Sequence, residues 1–202
     1  MRQAKVIFAV IFAAALAGAV CAGFSAQAEA GASAAEVVRE VAVAEGDIDP
    51  VLLQAVDQQL AKLPAAMLDR MLAEGWVVCV TERDLAVGFD AYDTVYGLCE
   101  PAQQTLFIAA SEGAATSAPL HEVGHWLDVS CANASDTREF HDALSAANHV
   151  LLSILVDPFL ENRAEQFAEV FVEYITHPEA LQLLAPTLYT YMDNVAAQAT
   201  QN

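Results

Sequence analysis

Basic residues are scarce in this sequence. The chain of 202 residues contains 8 Lys and Arg against 27 Asp and Glu, which gives a formal net charge of −19. No stretch carries a cluster of Lys and Arg, and such clusters are what bind a phosphate backbone. We therefore expect no nucleic acid partner for this protein.

A hydrophobic run long enough to cross a membrane is also missing. The apolar run over residues 6–20 has about 15 residues, whereas a spanning helix needs about 20. Arg2 and Lys5 precede the run, and Ala26-Gln27-Ala28 follows it with the small-x-small pattern that signal peptidase cleaves. These features predict a signal peptide over residues 1–28, a secreted or periplasmic protein, and no stable membrane insertion after cleavage. An uncleaved anchor is the alternative.

Cysteines are few and lack the C-x-x-C spacing of a zinc knuckle. Cleavage after Ala28 leaves Cys79, Cys99 and Cys131, an odd number that allows one disulfide at most. Cys79 lies in an apolar run and is expected to be a buried thiol. Cys99 and Cys131 lie in turn-like surroundings and form the preferred pair, although the other pairings remain open.

The hydrophobic pattern predicts helices, a small sheet, and then a helical C-terminal half. This order indicates an α+β domain over residues 49–202, preceded by a lead-in over residues 29–48 that is either a helix or loose chain. Asp49 and Pro50 supply a helix N-cap and a first helical position, and Gly75 is placed to end the next helix. Strands are predicted at 76–81 and 105–109, with a loop or an irregular hairpin over 84–101 between them. Later helices are predicted at 118–128, 136–155, 161–175 and after 186.

The segment Leu120–Asp128 contains the pattern H-E-x-x-H. His121 and His125 are four residues apart, so on a helix both imidazoles face the same side and can reach one zinc ion. Glu122 is the neighbour of His121 and can accept a proton from water that zinc activates. The alternative is a helix with two purely structural histidines, but Glu122 stands at the required position and Gly124 permits a close backbone approach.

A catalytic zinc site needs a third protein ligand, and the predicted helix at 161–175 carries acidic residues along one face. Four glutamates recur at intervals of four residues, and the middle two are flanked by Phe167 and Phe171, which indicate a partly buried helix face. Buried carboxylates without a partner are costly. The spacing suggests that one of the middle pair binds metal and the other hydrogen-bonds a ligand histidine, but it does not choose between them. The four are Glu161, Glu165, Glu169 and Glu173.

Residues Leu53–Val195 resemble the catalytic domain of anthrax lethal factor and the related secreted clostridial Pro-Pro endopeptidases. The segments that carry the resemblance are LAKLP at residues 60–64, HEVGHWLD at 121–128, AEQFAEVF at 164–171 and APT at 185–187. The resemblance implies a zincin-like fold with a small mixed sheet and an active-site helix. It also implies that Glu165 is the third zinc ligand and that Glu169 hydrogen-bonds a ligand histidine.

One position departs from this family. The family has a Tyr seven residues before the ligand Glu, where its hydroxyl helps to stabilise the oxyanion, and this chain has Pro158 there with Phe159 beside it. Neither side chain can donate a hydrogen bond, and loss of an oxyanion donor costs about 10²- to 10³-fold in rate. Tyr174, Tyr189 and Tyr191 are substitutes only by default.

The sequence thus predicts a secreted zinc endopeptidase of the gluzincin kind that acts on a peptide or protein substrate. His121, His125 and Glu165 are expected to hold Zn²⁺, with Glu122 as the general base. The strand at 105–109 is a candidate sheet edge on which an extended substrate lies. The alternative is a zincin-like binding module that is catalytically weak or inactive.

Overall fold

The protein is described here by a computed structural model that covers residues 38–86, 95–147 and 162–200. Within these ranges the fold is α+β, as predicted, with a four-stranded sheet and seven α-helices. The strands are β1 (Val43–Glu45), β2 (Val77–Thr81), β3 (Gly97–Glu100) and β4 (Thr105–Ala109). The helices are α1 (Pro50–Leu60), α2 (Ala65–Ala73), α3 (Glu112–Ser130), α4 (Arg138–Ala146), α5 (Arg163–Thr176), α6 (Pro178–Leu184) and α7 (Pro186–Thr200).

The sheet is mixed, with the spatial order β1-β2-β4-β3. β2 is parallel to both β1 and β4, whereas β3 is antiparallel to β4. The prediction that residues 105–109 form a sheet edge is therefore wrong, because β4 is paired on both sides. The short hairpin from β3 through a 3₁₀ turn at Pro101–Gln103 into β4 instead places β3 at the edge of the four strands that the structure describes.

The helix boundaries near the start of the domain follow the predicted signals. The side chain of Asp49 accepts a hydrogen bond from the N–H of Val51 at 2.9 Å, and Pro50 is the first residue of α1. Gly75 has φ of +89°, a left-handed conformation that a residue with a side chain seldom adopts, and the chain leaves α2 there. This turn directs the chain into β2.

The lead-in contributes a strand of the sheet. Val43–Glu45 pairs with β2 in parallel. Just before it, the N–H groups of Val41 and Ala42 both donate to the buried carboxylate of Asp57, at 2.9 and 2.8 Å. These bonds attach the segment to α1, so residues 41–45 are neither helix nor loose chain.

One face of the sheet packs on the helices and forms the core. Val78, Val80, Leu106 and Ile108 point to this face and are at most 1% exposed. The largest fully buried side chains lie between the helices of the C-terminal half and are Trp126, Phe140, Phe167 and Phe171. The opposite face carries a smaller cluster around Cys79, Leu85 and Phe107.

The C-terminal half is helical, as expected, with some shifted boundaries. α3 begins at Glu112, earlier than predicted, because Ser111 caps it by accepting from the N–H of Ala114 at 3.2 Å. α4 begins after a cap by Thr137 rather than Asp136. The helix α6 at Pro178–Leu184 was not expected. No helix in the described ranges has the length and hydropathy that crossing a membrane requires, and the predicted signal peptide, residues 1–28, lies outside those ranges.

The preferred disulfide between Cys99 and Cys131 is not formed. Cys79, Cys99 and Cys131 are all free thiols in the structure. Cys99 lies on β3 beside Glu122, whereas Cys131 follows the last turn of α3, nine residues after Glu122. The two cysteines thus belong to different elements, and no bond joins them in the structure.

Candidate metal centre

Helix α3 presents His121 and His125 together. Their spacing of four residues places the rings on one side of the helix, with centroids 4.8 Å apart in an edge-to-face arrangement. The two Nε2 atoms are 3.1 Å apart. Both side chains are largely buried, with 18% and 16% of their surface exposed.

Helix α5 crosses α3 at a point where neither helix has a large side chain. A Cβ on Gly124 would lie 2.8 Å from the Cα of Ala168, which is closer than real Cβ contacts. Gly124 therefore allows the two backbones to approach more closely than any other residue would. This approach brings the first turns of α5 against the histidine face of α3.

Glu165 lies between the two histidines. Its Oε2 is 3.1 Å from Nε2 of His121, and its Oε1 is 3.4 Å from Nε2 of His125. These bonds, aided by the charges of the two imidazoles, hold the pKa of the Glu165 carboxyl well below its usual range in spite of burial. One nitrogen from each histidine and one carboxylate oxygen lie within 4.8 Å of one another, the one such grouping of His, Cys, Asp and Glu in the part of the chain that the structure describes.

Glu169 contacts the opposite nitrogen of His121. Its Oε1 lies 3.2 Å from Nδ1, while Nε2 of the same ring faces Glu165. The two carboxylates, one helical turn apart, thus occupy different sides of one imidazole. The geometry separates two glutamates that the sequence spacing left equivalent.

The charge around His121 favours its protonated form in the absence of a metal. Desolvation alone would lower the pKa of His121, but the hydrogen bonds to Glu165 and Glu169 and the charge of Glu122 raise this pKa to about 10. The carboxylates that stabilise the proton on His121 would attract a metal dication by the same negative charge.

Glu122 lies on the side of α3 that faces the sheet. The residue is 4% exposed, and its carboxylate accepts a hydrogen bond from the backbone N–H of Cys99 on β3. Burial raises the pKa of Glu122, although the neighbouring imidazoles and the Cys99 N–H act in the opposite direction. The carboxylate is thus immobilised next to the histidines without joining their hydrogen bonds to Glu165.

The other candidates lie elsewhere. Glu173 is 3.1 Å from Nδ1 of His177, one turn beyond the cluster. Tyr174 donates to Asp193 at 3.0 Å, and Tyr191 donates to the carbonyl of Ala134 at 2.6 Å, so both hydroxyls have structural partners. Glu161, Pro158 and Phe159 lie outside the described residues.

Two further contacts of Glu122 have no signal in the sequence. The backbone N–H of Cys99 and the small size of Gly97 both act on Glu122. These residues lie in a stretch that has no strong strand pattern, and no sequence signal pairs a backbone N–H with a side chain more than twenty residues later.

The donor set fits a transition-metal dication. Two imidazole nitrogens and one carboxylate oxygen are ligands that such ions prefer, and three protein ligands leave a position open for water or substrate. The arrangement can therefore hold a metal and, beside it, a buried carboxylate able to take up a proton.

Comparison with known proteins supports the fold. The structure is similar to that of the PRO-PRO endopeptidase (PPEP-2) from Paenibacillus alvei, with a TM-score of 0.60 and 18% sequence identity, over 77% of this chain and 97% of that chain. No match is found among curated protein sequences. At this identity the likeness to PPEP-2 concerns the fold alone.

The match to a protein family covers a longer part of the chain. Residues 32–195, well over half of the chain, match the model described as anthrax toxin lethal factor, N- and C-terminal domain. The matched range contains all four strands and the whole histidine and glutamate cluster. The fold is therefore zincin-like, and the chain belongs to the anthrax toxin lethal factor domain family.

Proposed function

We propose that this protein is an exported zinc-dependent endopeptidase that hydrolyses peptide bonds in a peptide or protein substrate. One observation carries the proposal: His121, His125 and Glu165 converge within 4.8 Å, and the buried carboxylate of Glu122 lies directly beside them. A purely structural metal site has no need of a further buried carboxylate. The family and the fold of PPEP-2 agree with this interpretation.

In this proposal His121, His125 and Glu165 hold the zinc ion. Zinc supplies polarisation of a carbonyl and acidification of water when it is bound. Glu122 acts as the general base that removes the proton from the attacking water and then passes it to the leaving amine. Its raised pKa brings the carboxyl closer to neutral pH, which suits a group that must both accept and release a proton.

Glu169 would fix the orientation and tautomer of His121. A carboxylate 3.2 Å from Nδ1 keeps the proton on that nitrogen, so that the lone pair of Nε2 is free for a metal. The same contact restrains rotation of the ring. Glu169 thus supports metal binding without being a ligand.

The substrate in this proposal lies along β3. This strand is the edge of the sheet next to Glu122, whereas β4 has no free side. An extended peptide can pair with the outward-facing backbone groups of β3 other than the N–H of Cys99, which binds Glu122, and so bring its scissile bond to the metal. We therefore place the substrate on β3, residues 97–100, and not on residues 105–109 as the sequence predicted.

Slow turnover is part of the proposal. Pro158 and Phe159 stand where the family has a Tyr that stabilises the oxyanion, and neither can donate a hydrogen bond. We expect a rate about 10²- to 10³-fold below that of an enzyme with such a donor. The same departure favours the second candidate, a zincin-like module that binds zinc and a peptide with little or no turnover.

The test compares the wild type with Glu122→Gln. The Gln variant keeps the size of the side chain and removes the base, so hydrolysis of a peptide library should cease while the zinc content stays the same. Glu179→Gln, on the exposed first turn of α6, is the matched control and should retain full activity. Equal hydrolysis by wild type and Glu122→Gln at equal zinc content refutes the enzyme proposal. Zinc binding without any Glu122-dependent hydrolysis supports the binding module.

Export is a separate part of the proposal. It is supported by the basic start at Arg2 and Lys5, the apolar run over 6–20 and the Ala26-Gln27-Ala28 pattern. N-terminal sequencing of the protein recovered from culture medium or periplasm should give a chain that begins at Glu29. An intact N-terminus in the membrane fraction would instead indicate an uncleaved anchor.

A further inference from the structure

Gly97, the first residue of β3, lies against the side chain of Glu122. A Cβ built on Gly97 would be 2.3 Å from Oε1 of Glu122, 2.7 Å from its Cγ and 2.8 Å from its Cδ. All three distances are below those that real Cβ atoms adopt. Any residue other than glycine at position 97 would therefore displace the whole Glu122 side chain beyond its Cβ.

The direction of the backbone groups of β3 follows from its pairing with β4. The N–H of Ala109 donates to the carbonyl of Tyr96 at 2.9 Å, so the backbone groups of residue 96 point toward β4. Antiparallel pairing alternates along a strand. The groups of Gly97 and Cys99 thus point away from β4, to the side of β3 on which the described part of the chain has no further strand.

Glu122 uses one of these edge groups. The N–H of Cys99 donates to the Glu122 carboxylate, although Cys99 has no partner strand on that side among the described residues. The carboxylate reaches this N–H across the position of the missing Gly97 side chain. Gly97 and Cys99 lie two residues apart on the same face and together form one seat for the carboxylate.

We propose that Gly97 is a positioning residue for the general base: its missing side chain, together with the Cys99 N–H, holds the Glu122 carboxylate on the free edge of β3. The base role of Glu122 rests on the proposed function, whereas the seat itself rests on the contacts alone. A larger residue at position 97 acts on catalysis through Glu122, because the three atoms nearest to a Cβ at this position all belong to Glu122.

The seat is tested first by thermal stability, with a double-mutant cycle between Gly97 and Glu122. Gly97 does not have a positive φ, so its backbone accepts alanine, which is the better strand residue. In the wild-type background, Gly97→Ala should lower the melting temperature because it meets Glu122. In the Glu122→Ala background the obstructing atoms are gone, and the same substitution should leave the melting temperature unchanged or raise it.

Catalysis provides the second measurement. Gly97→Ala should retain its zinc and its KM and lose about 10²-fold in kcat, the effect expected when a catalytic group is misplaced by about 1 Å. Gly113→Ala is the matched control, because the three atoms nearest to a Cβ on Gly113 belong to Tyr96 and lie at ordinary distances, the hydroxyl oxygen at 3.4 Å and ring carbons at 3.6 and 3.8 Å. This control should keep the wild-type kcat.

The outcomes are distinct for the two proposals. Loss of kcat in Gly97→Ala and a reversal of its thermal effect in the Glu122→Ala background support the seat. An unchanged kcat in Gly97→Ala, or the same fall in melting temperature in both backgrounds, overturns it. If the wild type shows no Glu122-dependent hydrolysis, the proposed function fails, and the thermal cycle still decides whether Gly97 positions Glu122.

Discussion

The Nδ1 atom of His121 lies 3.2 Å from Oε1 of Glu169, while the Nε2 atom of the same ring lies 3.1 Å from Oε2 of Glu165. One imidazole is thus held between two carboxylates from successive turns of α5. The two carboxylates would have different roles if a metal binds, because only the Nε2 atom of His121 faces His125. Glu165 can share a metal with both histidines, whereas Glu169 can only orient one of them.

The first prediction concerns these two glutamates. Glu165→Ala should abolish stoichiometric zinc binding, because it removes a ligand. At a pH above about 10, where no proton on His121 competes with zinc, Glu169→Gln should weaken zinc binding by about 10- to 100-fold, as is usual when a carboxylate that orients a ligand is lost. Competition with a chromophoric zinc chelator measures both effects, and Glu179→Gln should match the wild type. Full zinc retention by Glu165→Ala would refute the ligand set.

The second prediction concerns the crossing of α3 and α5. Gly124→Ala improves helix propensity by about 1 kcal/mol. However, the new Cβ would lie 2.8 Å from the Cα of Ala168. A backbone atom cannot move aside as easily as the end of a flexible side chain can. Overpacking of this kind typically costs about 1–3 kcal/mol. We expect a net loss of stability in chemical denaturation, together with weaker zinc binding because α5 carries Glu165 away from the histidines.

Gly113→Ala serves again as a control for this substitution. It lies in the first turn of the same helix with room for a Cβ, so it should be neutral or stabilising by up to about 1 kcal/mol. If Gly124→Ala were as stable as Gly113→Ala and bound zinc normally, the close crossing would have no role in building the site.

Much of the fold near the site could be predicted from local chemistry. Asp49 and Pro50 start α1, Gly75 ends α2, and the apolar runs mark β2 and β4, since caps, turns and buried strands leave strong signals within a few residues. β1 could not be found in this way. Val43–Glu45 is short and exposed, and it is held by bonds between residues 41–42 and a distant carboxylate, Asp57.

The position of the sheet edge could not be predicted either. Gly88, Gly97 and several Asp predict a loop or an irregular hairpin over residues 84–101, and the structure has a hairpin in which β3 pairs with β4. Similarly, spacing could not separate Glu165 from Glu169, since both lie on one face of α5. The distinction depends on where α5 crosses α3, and the contact between Gly124 and Ala168 sets that crossing. In the sequence, only the family resemblance favours Glu165 over Glu169 as the ligand.

The third prediction concerns the cysteines. The structure has free thiols at Cys79, Cys99 and Cys131, so alkylation of the unfolded, unreduced protein should modify all three. In the folded protein the reaction should be slow, because burial raises the pKa of each thiol, that of Cys99 to about 12, and the thiolate is the reactive form. Peptide mass spectrometry measures the labelling. A Cys99–Cys131 bridge in the unreduced protein would contradict the structure.

The last prediction concerns pH. Without a metal, desolvation lowers the pKa of His121, but the hydrogen bonds to Glu165 and Glu169 outweigh it and raise this pKa from 6.5 to about 10. Because the folded pKa lies above the unfolded one, protonated His121 stabilises the metal-free fold fully below pH 6.5, and this contribution is lost as pH rises toward about 10. The metal-free protein should therefore lose thermal stability across this window.

Zinc affinity should change in the opposite sense over the same window. A metal can bind Nε2 of His121 only after the proton has left, so zinc and the proton compete, and affinity should rise by about tenfold per pH unit while one proton is displaced. Competition titrations at successive pH values, corrected for protonation of the chelator, measure this slope. Glu169→Gln keeps a hydrogen-bond acceptor but removes a negative charge that raises the pKa of His121, so in this variant the rise should level off at a lower pH. A zinc affinity that stayed constant from pH 6.5 upward in the wild type would show that His121 carries no proton for zinc to displace, and that the carboxylates do not hold this ring in its charged form.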